Sequence, residues 1–290
     1  MLECVPNFSE GRNADVVAKI AAAIAATPGV ALLGQELDED HNRSVITFAG
    51  DSSAVVEGAV RGVAEAAKLI NLTAHAGVHP RVGAADVVPF IPMGDTTMKD
   101  AIKAAHQTGQ EIWKRLHIPV YYYGEAALRE WRRRLEKVRR IGFDGEGPDV
   151  GDIPAHPTAG AAVVGARRFL LAYNFDLNTP DIKIADEIAK RVRESSGGIP
   201  FVKAIGFYLD SRKRAQVSLN LTEFAQIPLE ELYQKIAAAA RELGTSIADG
   251  EVIGLVPEAA YKQDPAFFAR ASNFNESRIL ETRLKQLIPR

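Results

Sequence analysis

The chain has 290 residues, 47% hydrophobic and 25% charged, with a net charge of −2. That length suits one large domain or two ordinary ones, and the near-neutral balance gives no electrostatic case for nucleic acid or an anionic membrane. The single cysteine, Cys4, excludes an intramolecular disulfide and a CxxC metal site and fits a reducing compartment.

The opening, MLECVPNFSEGRN, carries Glu3 early and lacks the apolar core of a signal peptide. No apolar run reaches the roughly 18 residues that span a bilayer, so a cytoplasmic location is expected. LECVPNF (2–8) reads as a strand entering a Pro-Asn turn. ADVVAKIAAAIAATPG (14–29) has apolar residues at helical spacing and stops at Pro28-Gly29. VALLGQEL (30–37) and RSVITFAG (43–50) read as strands around the polar turn DEDHN, 52–72 as a helix, and ADVVPFIP (85–92) as a buried strand. This order, β-α-β-β-α-β, is the ferredoxin-like pattern.

A helix (96–117) and a strand (119–126) come next, followed by the basic stretch LREWRRRLEKVRRIGF (128–143). Between Arg129 and Arg140 it holds seven cations against two glutamates, the composition of a solvated helix or an anion-collecting surface. The segment 144–165, rich in glycine, proline and aspartate, has no helical period and reads as a functional loop or a linker. The pattern then restarts: a strand (167–178), a helix (180–196) opened by Pro180, a hairpin (202–223) turning at DSRKR, a helix (228–244) and a strand (250–261). The expected fold is α+β: two ferredoxin-like βαββαβ sandwiches, a duplication split into 1–166 and 167–290, with a ligand groove between them.

HAGVHPRVGAADVVPF (75–90) holds two of the six histidines four residues apart. As metal ligands, His75 and His79 need a third partner such as Asp86, and the i, i+4 spacing needs a helix that Pro80 disfavours. As an acid/base, one imidazole needs a cation or donor beside it; His79 has Arg81 two residues on, which shares its face in an extended segment. The third reading is a solvent-exposed loop. Asn7, Arg43 and Glu125 each end an expected strand, where polar groups enter a site or cap a turn. The segment 147–165 can present backbone N–H groups to a flat heterocycle, and it lacks the Lys-Ser/Thr end of a phosphate loop.

Five motifs in order, ECVPNFSEGRN, DHNRSVITFAG (40–50), HAGVHPRVGAADVVPFIP (75–92), PVYYYGEAA (119–127) and HPTAGAAVVGARRFLLAYNFDLN (156–178), together resemble glutamate formiminotransferase, the transferase part of formiminotransferase-cyclodeaminase. The resemblance spans essentially the whole chain. It implies transfer of the formimino group from N-formimino-L-glutamate to N5 of tetrahydrofolate, the co-substrate, in histidine degradation. It also implies a duplicated ferredoxin-like fold and a homodimer; the transfer requires no metal, because a protonated amidine is already a cationic electrophile. His79 of the HPR motif takes the catalytic place. Gly151, Asp152, Ile153, Pro154, Ala155, His156, Pro157, Thr158, Ala159 and Gly160 take the folate-binding place. Asn7, Arg43, Arg81 and Glu125 are then expected to orient substrate, and the basic stretch to meet the polyglutamate tail of cellular folate. With the chain ending at Arg290, deamination of the product falls to a separate cyclodeaminase. The competing readings are formyl transfer between N-formylglutamate and 5-formyltetrahydrofolate, and a non-catalytic folate-binding module.

Overall fold

A computed structural model describes residues 1–76, 81–141 and 146–287. The chain divides into two compact units, Met1–Arg168 and Phe169–Arg290, each with its own sheet.

The first unit begins with a strand broken in two at Val5-Pro6, β1 (Leu2–Cys4) and β2 (Asn7–Phe8). Helix α1 (Ala14–Ala25) follows; Asn13 caps it, its side chain accepting from the Asp15 and Val16 amides. Val17, Ile20, Ala21 and Ile24 form its buried face, one stripe at helical spacing. The hairpin β3 (Val30–Asp38) and β4 (Arg43–Gly50) leads into α2 (Ser52–Leu69). Gly62 of α2 lets the two helices close up: a Cβ there would lie 2.9 Å from the Ile24 side chain. Then come β5 (Ala85–Pro92), α3 (Met98–Leu116) with a Thr97/Asp100 capping box, β6 (Val120–Gly124), α4 (Leu135–Ile141) and β7 (Ala162–Ala166).

In the sheet, β4 pairs with β3 on one side and with β1 and β2 on the other, and β1 and β2 pair with β5, all antiparallel. β7 and then β6 extend it in parallel. Helices α1, α2 and α3 cover one face over a core that includes Phe8, Phe48, Val60 and Phe90. A smaller cluster, Val87, Tyr121, Tyr123, Val138 and Val163, packs with Trp131 and Leu135.

The second unit runs β8 (Leu171–Leu177), α5 (Ile182–Val192), β9 (Val202–Leu209), β10 (Arg214–Leu221), α6 (Leu229–Glu242) and β11 (Ile247–Ile253). Its sheet has the order β11-β8-β10-β9, antiparallel throughout. Short helices α7 (Glu258–Gln263), α8 (Pro265–Phe268) and α9 (Leu280–Leu287) close the chain, and Phe267 and Phe268 join Tyr173 and Phe175 in the core.

Three expected elements differ. The segment expected to be loop through 165 contains β7, whose run AVVGA is buried throughout; a parallel strand buried on both faces shows no alternation to read. The strand expected over 250–261 is β11 plus α7, with Gly254 at φ +77 ending the extended run. The basic stretch is not one solvated helix but a 3-10 turn (Glu130–Arg133) and then α4. Arg132 is 1% exposed, tied to Asp149 at 2.7 Å and to the Gly147 carbonyl at 2.6 Å.

Candidate active site

The site grows from an irregularity at the start of β5. Asn7 of β2 faces Val87, but its neighbour Phe8 faces Ala85, so β5 spends one extra residue, Asp86, at that point. Such a bulge re-aims a side chain. Ala85 belongs to the core beneath the helices and Val87 to the opposite cluster. Asp86 turns toward the α4 side, where it is fully buried. Its Oδ2 accepts from Arg43 Nη1 at 2.8 Å and from Arg139 Nη2 at 2.6 Å, and its Oδ1 accepts from the Val82 amide at 2.7 Å.

Arg43 opens β4, and its Nε donates to Asn7 Oδ1 at 3.0 Å. Asn7 Nδ2 in turn donates to the Val5 carbonyl at 2.9 Å, so adjacent strands fix the fork. Burial alone would raise the Asp86 carboxyl; Arg43, Arg139 and the Val82 N–H outweigh it and hold the pKa at about 2. For Arg43, burial pulls the guanidinium down to about 10 against the pull of Asp86, with Arg139 and Arg81 adding repulsion. Asp86 and Arg43 are both charged at neutral pH.

Asn42 binds the neighbouring loops together. It sits in the left-handed region at φ +47, where asparagine is tolerated best after glycine. Its Oδ1 accepts from the Gly11 amide and its Nδ2 donates to the Ala76 carbonyl, both at 2.9 Å. Gly11 can only be glycine, because a Cβ there would run into the Asp38 and Arg43 backbone. His75 Nε2 lies 3.2 Å from the Asn42 carbonyl and 3.5 Å from Arg81 Nη1, while its buried Nδ1 has no hydrogen-bond partner among the described residues. His79 lies outside the described residues. The described chain on either side is anchored here, through Ala76 to Asn42 and through Val82 to Asp86.

The segment 151–160 meets the same place. The Ala84 amide donates to the Ala159 carbonyl at 2.9 Å, the Ala161 amide to the Val82 carbonyl at 3.0 Å, and the Leu72 amide to the Thr158 carbonyl at 2.8 Å. His156 and Gly160 exchange backbone hydrogen bonds, both at 2.9 Å, and His156 Nδ1 accepts from the Ala159 amide at 3.1 Å. That ring therefore serves the loop's own shape. Gly160 has φ +69 and Gly151 φ +90; side chains there would collide with the Val82 carbonyl and the Trp113 ring respectively. Asp152, Ile153, Pro154 and Pro157 are exposed, and Ala159 is buried.

Asn7, Arg43, Arg81 and the inner half of the loop are thus brought together. Glu125 is not brought with them. Gly124 stands in register with Ala166, which pairs with Phe90, so Glu125 lies at the far end of the parallel strands from Asp86. It forms an ion pair with Arg133 at 2.6 Å. Sequence reasoning weighed Asp86 only as a metal ligand and left Arg139 within a basic run. A lone carboxylate inside ADVVPFIP was the available signal, since a buried charge demands a partner. Among the described residues, no group of three or more His, Cys, Asp or Glu could hold a metal ion.

Residues 1–167 match the family model described as the formiminotransferase domain, N-terminal subdomain, and residues 172–287 match the formiminotransferase domain. The chain belongs to the formiminotransferase family. It is 40% identical to the glutamate formimidoyltransferase of Thermoplasma acidophilum, over 99% of this chain and 98% of the relative. It is likewise 40% identical to that of Streptococcus pyogenes, over 98% of each. Against the formimidoyltransferase-cyclodeaminase of Gallus gallus the identity is 38%, covering 93% of this chain and 52% of the longer relative. The Asp86 cluster and the loop 151–160 both belong to the N-terminal formiminotransferase subdomain.

Proposed function

We propose that the protein is a glutamate formimidoyltransferase, moving the formimino group from N-formimino-L-glutamate to N5 of tetrahydrofolate. The observation that carries this reading is the end-to-end similarity, 40% over 98–99% of the chain, to two glutamate formimidoyltransferases. The geometry supports it. The segments flanking His79, the arginine fork on Asp86 and the loop 151–160 converge at the start of the interior strand β5.

N5 attacks the amidine carbon and forms a tetrahedral intermediate; the C–N bond to glutamate then breaks. N5 loses a proton and the departing glutamate nitrogen gains one. His79 is the base and acid that carries it, while Arg43 and Arg81 orient the substrate and the loop receives folate. The strand order β11-β8-β10-β9, and the arrangement of β1/β2, β3, β4 and β5 in the first unit, support two ferredoxin-like cores. We read the protein as a cytoplasmic homodimer.

The test is glutamate release from N-formimino-L-glutamate and tetrahydrofolate, with N-formylglutamate as the competing donor. Release with the formimino donor, lost in a folded His79→Ala variant, is expected. Wild-type turnover by that variant would remove His79 from the mechanism, and a preference for the formyl donor would overturn the substrate assignment.

A further inference from the structure

We propose that the second unit carries a binding pocket for a zwitterionic glutamyl ligand, between β8, β10 and β11, in which Arg214 takes a carboxylate and Asp176 and Glu251 take a cationic N–H group. The identity of the ligand rests on the transfer reading above; the pocket rests on the following geometry.

On β10, Ala215 and Val217 share one core with Ile188 of α5 and Ile236 of α6, so Arg214 and Gln216 point to the other face of the sheet. Gln216 stands directly across from Asp176 of β8, and Asp176 across from Asp249 of β11. Beside them lies a half-open cavity of about 380 Å³, lined by Asp176, Arg212, Arg214, Asp249 and Glu251 among others. Asp249 is occupied by the Ser272 hydroxyl and by the Gly250 and Ser272 amides. Arg212 donates to Asp176 Oδ2 at 2.9 Å and to Glu251 Oε1 at 2.6 Å. Two carboxylates thus share one guanidinium, which leaves negative charge for a further cation.

Two more observations point to a ligand. Gln216 is 1% exposed, and its Nε2 donates to Asp176 Oδ1 at 2.8 Å and to Glu251 Oε2 at 3.4 Å. Carboxylates only accept, so they fix the amide with its nitrogen toward them. Its Oε1 is then a buried acceptor with no hydrogen-bond partner among the described residues, a costly state until a donor arrives. Arg214, partly buried and lining the same cavity, has a side chain without hydrogen bond or ion pair among the described residues. Two residues along a strand separate it from Gln216, about 7 Å. One end of the cavity therefore offers an unpaired guanidinium, the other two carboxylates and an orphaned acceptor. A carboxylate and a cationic N–H group joined by a short carbon chain match both ends. N-formimino-L-glutamate, with its amidinium, and L-glutamate, with its ammonium, both carry that pair.

Binding of N-formimino-L-glutamate, L-glutamate and glutarate to the full chain is measured by calorimetry for the wild type, Arg214→Gln and Gln216→Leu, alongside KM for transfer. The wild type is expected to bind L-glutamate at least about tenfold more tightly than glutarate, which lacks the cation. Arg214→Gln is expected to weaken N-formimino-L-glutamate and L-glutamate about 10- to 100-fold, and Gln216→Leu to erase most of the preference over glutarate. If Gln216→Leu fails to fold, Arg214→Gln decides the matter, because its side chain has no partner to lose. Tighter binding of N-formimino-L-glutamate, with a raised KM in Arg214→Gln, assigns the pocket to the donor; tighter binding of L-glutamate assigns it to the product. Unchanged affinity for both in folded Arg214→Gln, equal wild-type affinity for glutarate and L-glutamate, or no binding of either glutamyl ligand would overturn the pocket, and transfer persisting in that case leaves the transfer reading intact. Absence of transfer in the wild type, with L-glutamate binding lost in Arg214→Gln, would uphold the pocket and remove the transfer reading.

Discussion

Replacing Asp86 by asparagine keeps its shape and an acceptor for the Val82 amide but removes the charge facing Arg43 and Arg139. The lowering of its carboxyl from the ordinary 3.8 to about 2 corresponds to about 2 kcal/mol of native-state stability at neutral pH. Because the folded value is depressed, this contribution is fully present above pH 4 and is lost as pH falls toward 2. About half should be gone by pH 3. Asp86→Ala should cost more, about 3–5 kcal/mol, because beyond the lost charge it removes every acceptor for the Val82 N–H and the two guanidiniums. Both tryptophans, Trp113 and Trp131, belong to the first unit, so urea unfolding followed by tryptophan fluorescence reports on the unit that holds Asp86. Wild type and Asp86→Asn should differ by about 2 kcal/mol at pH 7 and by about half as much at pH 3. A difference that stays constant over that range, or is below about 0.5 kcal/mol at pH 7, would refute an ionised Asp86 held by the two guanidiniums.

Gly160→Val should destabilise the first unit by about 1–3 kcal/mol, from the φ of +69 and the clash with the Val82 carbonyl, and should weaken folate binding in a titration of tetrahydrofolate. Unchanged stability would mean that the loop is not seated on Val82. Arg132→Ala should cost about 3–5 kcal/mol in urea, leaving Asp149 buried without its partner; a change within about 0.5 kcal/mol would restore a solvated basic helix. Glu125→Gln should leave both KM values within twofold and stability within about 1 kcal/mol, because its ion pair with Arg133 is exposed. A large KM increase would instead place Glu125 at a substrate.

Much of the framework was written locally. The helix α1 follows from a capping Asn13 and four apolar residues on one face. The hairpin β3–β4 follows from two apolar runs around DEDHN. Other features were hidden because their cause is nonlocal. AVVGA reads as loop beside its glycines and prolines, yet becomes β7 because β5 and β6 supply parallel partners on both sides. The cations between Arg129 and Arg140 look alike in sequence. Their neighbours divide them: Arg132 to Asp149, Arg133 to Glu125, Arg139 to Asp86.

The sequence by itself determined the element pattern of the two halves and, through the motifs that resemble the formiminotransferases, the family and its chemistry. Local periodicity and short-range spacing need no knowledge of what lies across the sheet. Only the tertiary structure decided which charges meet. The extra residue at Asp86 turns its carboxylate to the α4 side, where Arg43 and Arg139 converge from positions 43 residues before it and 53 after. The same strand register carries Glu125 to the opposite end, although its place at the end of an expected strand put it among the candidates. Pairing of buried charge is a property of the folded sheet, and no spacing along the chain encodes it.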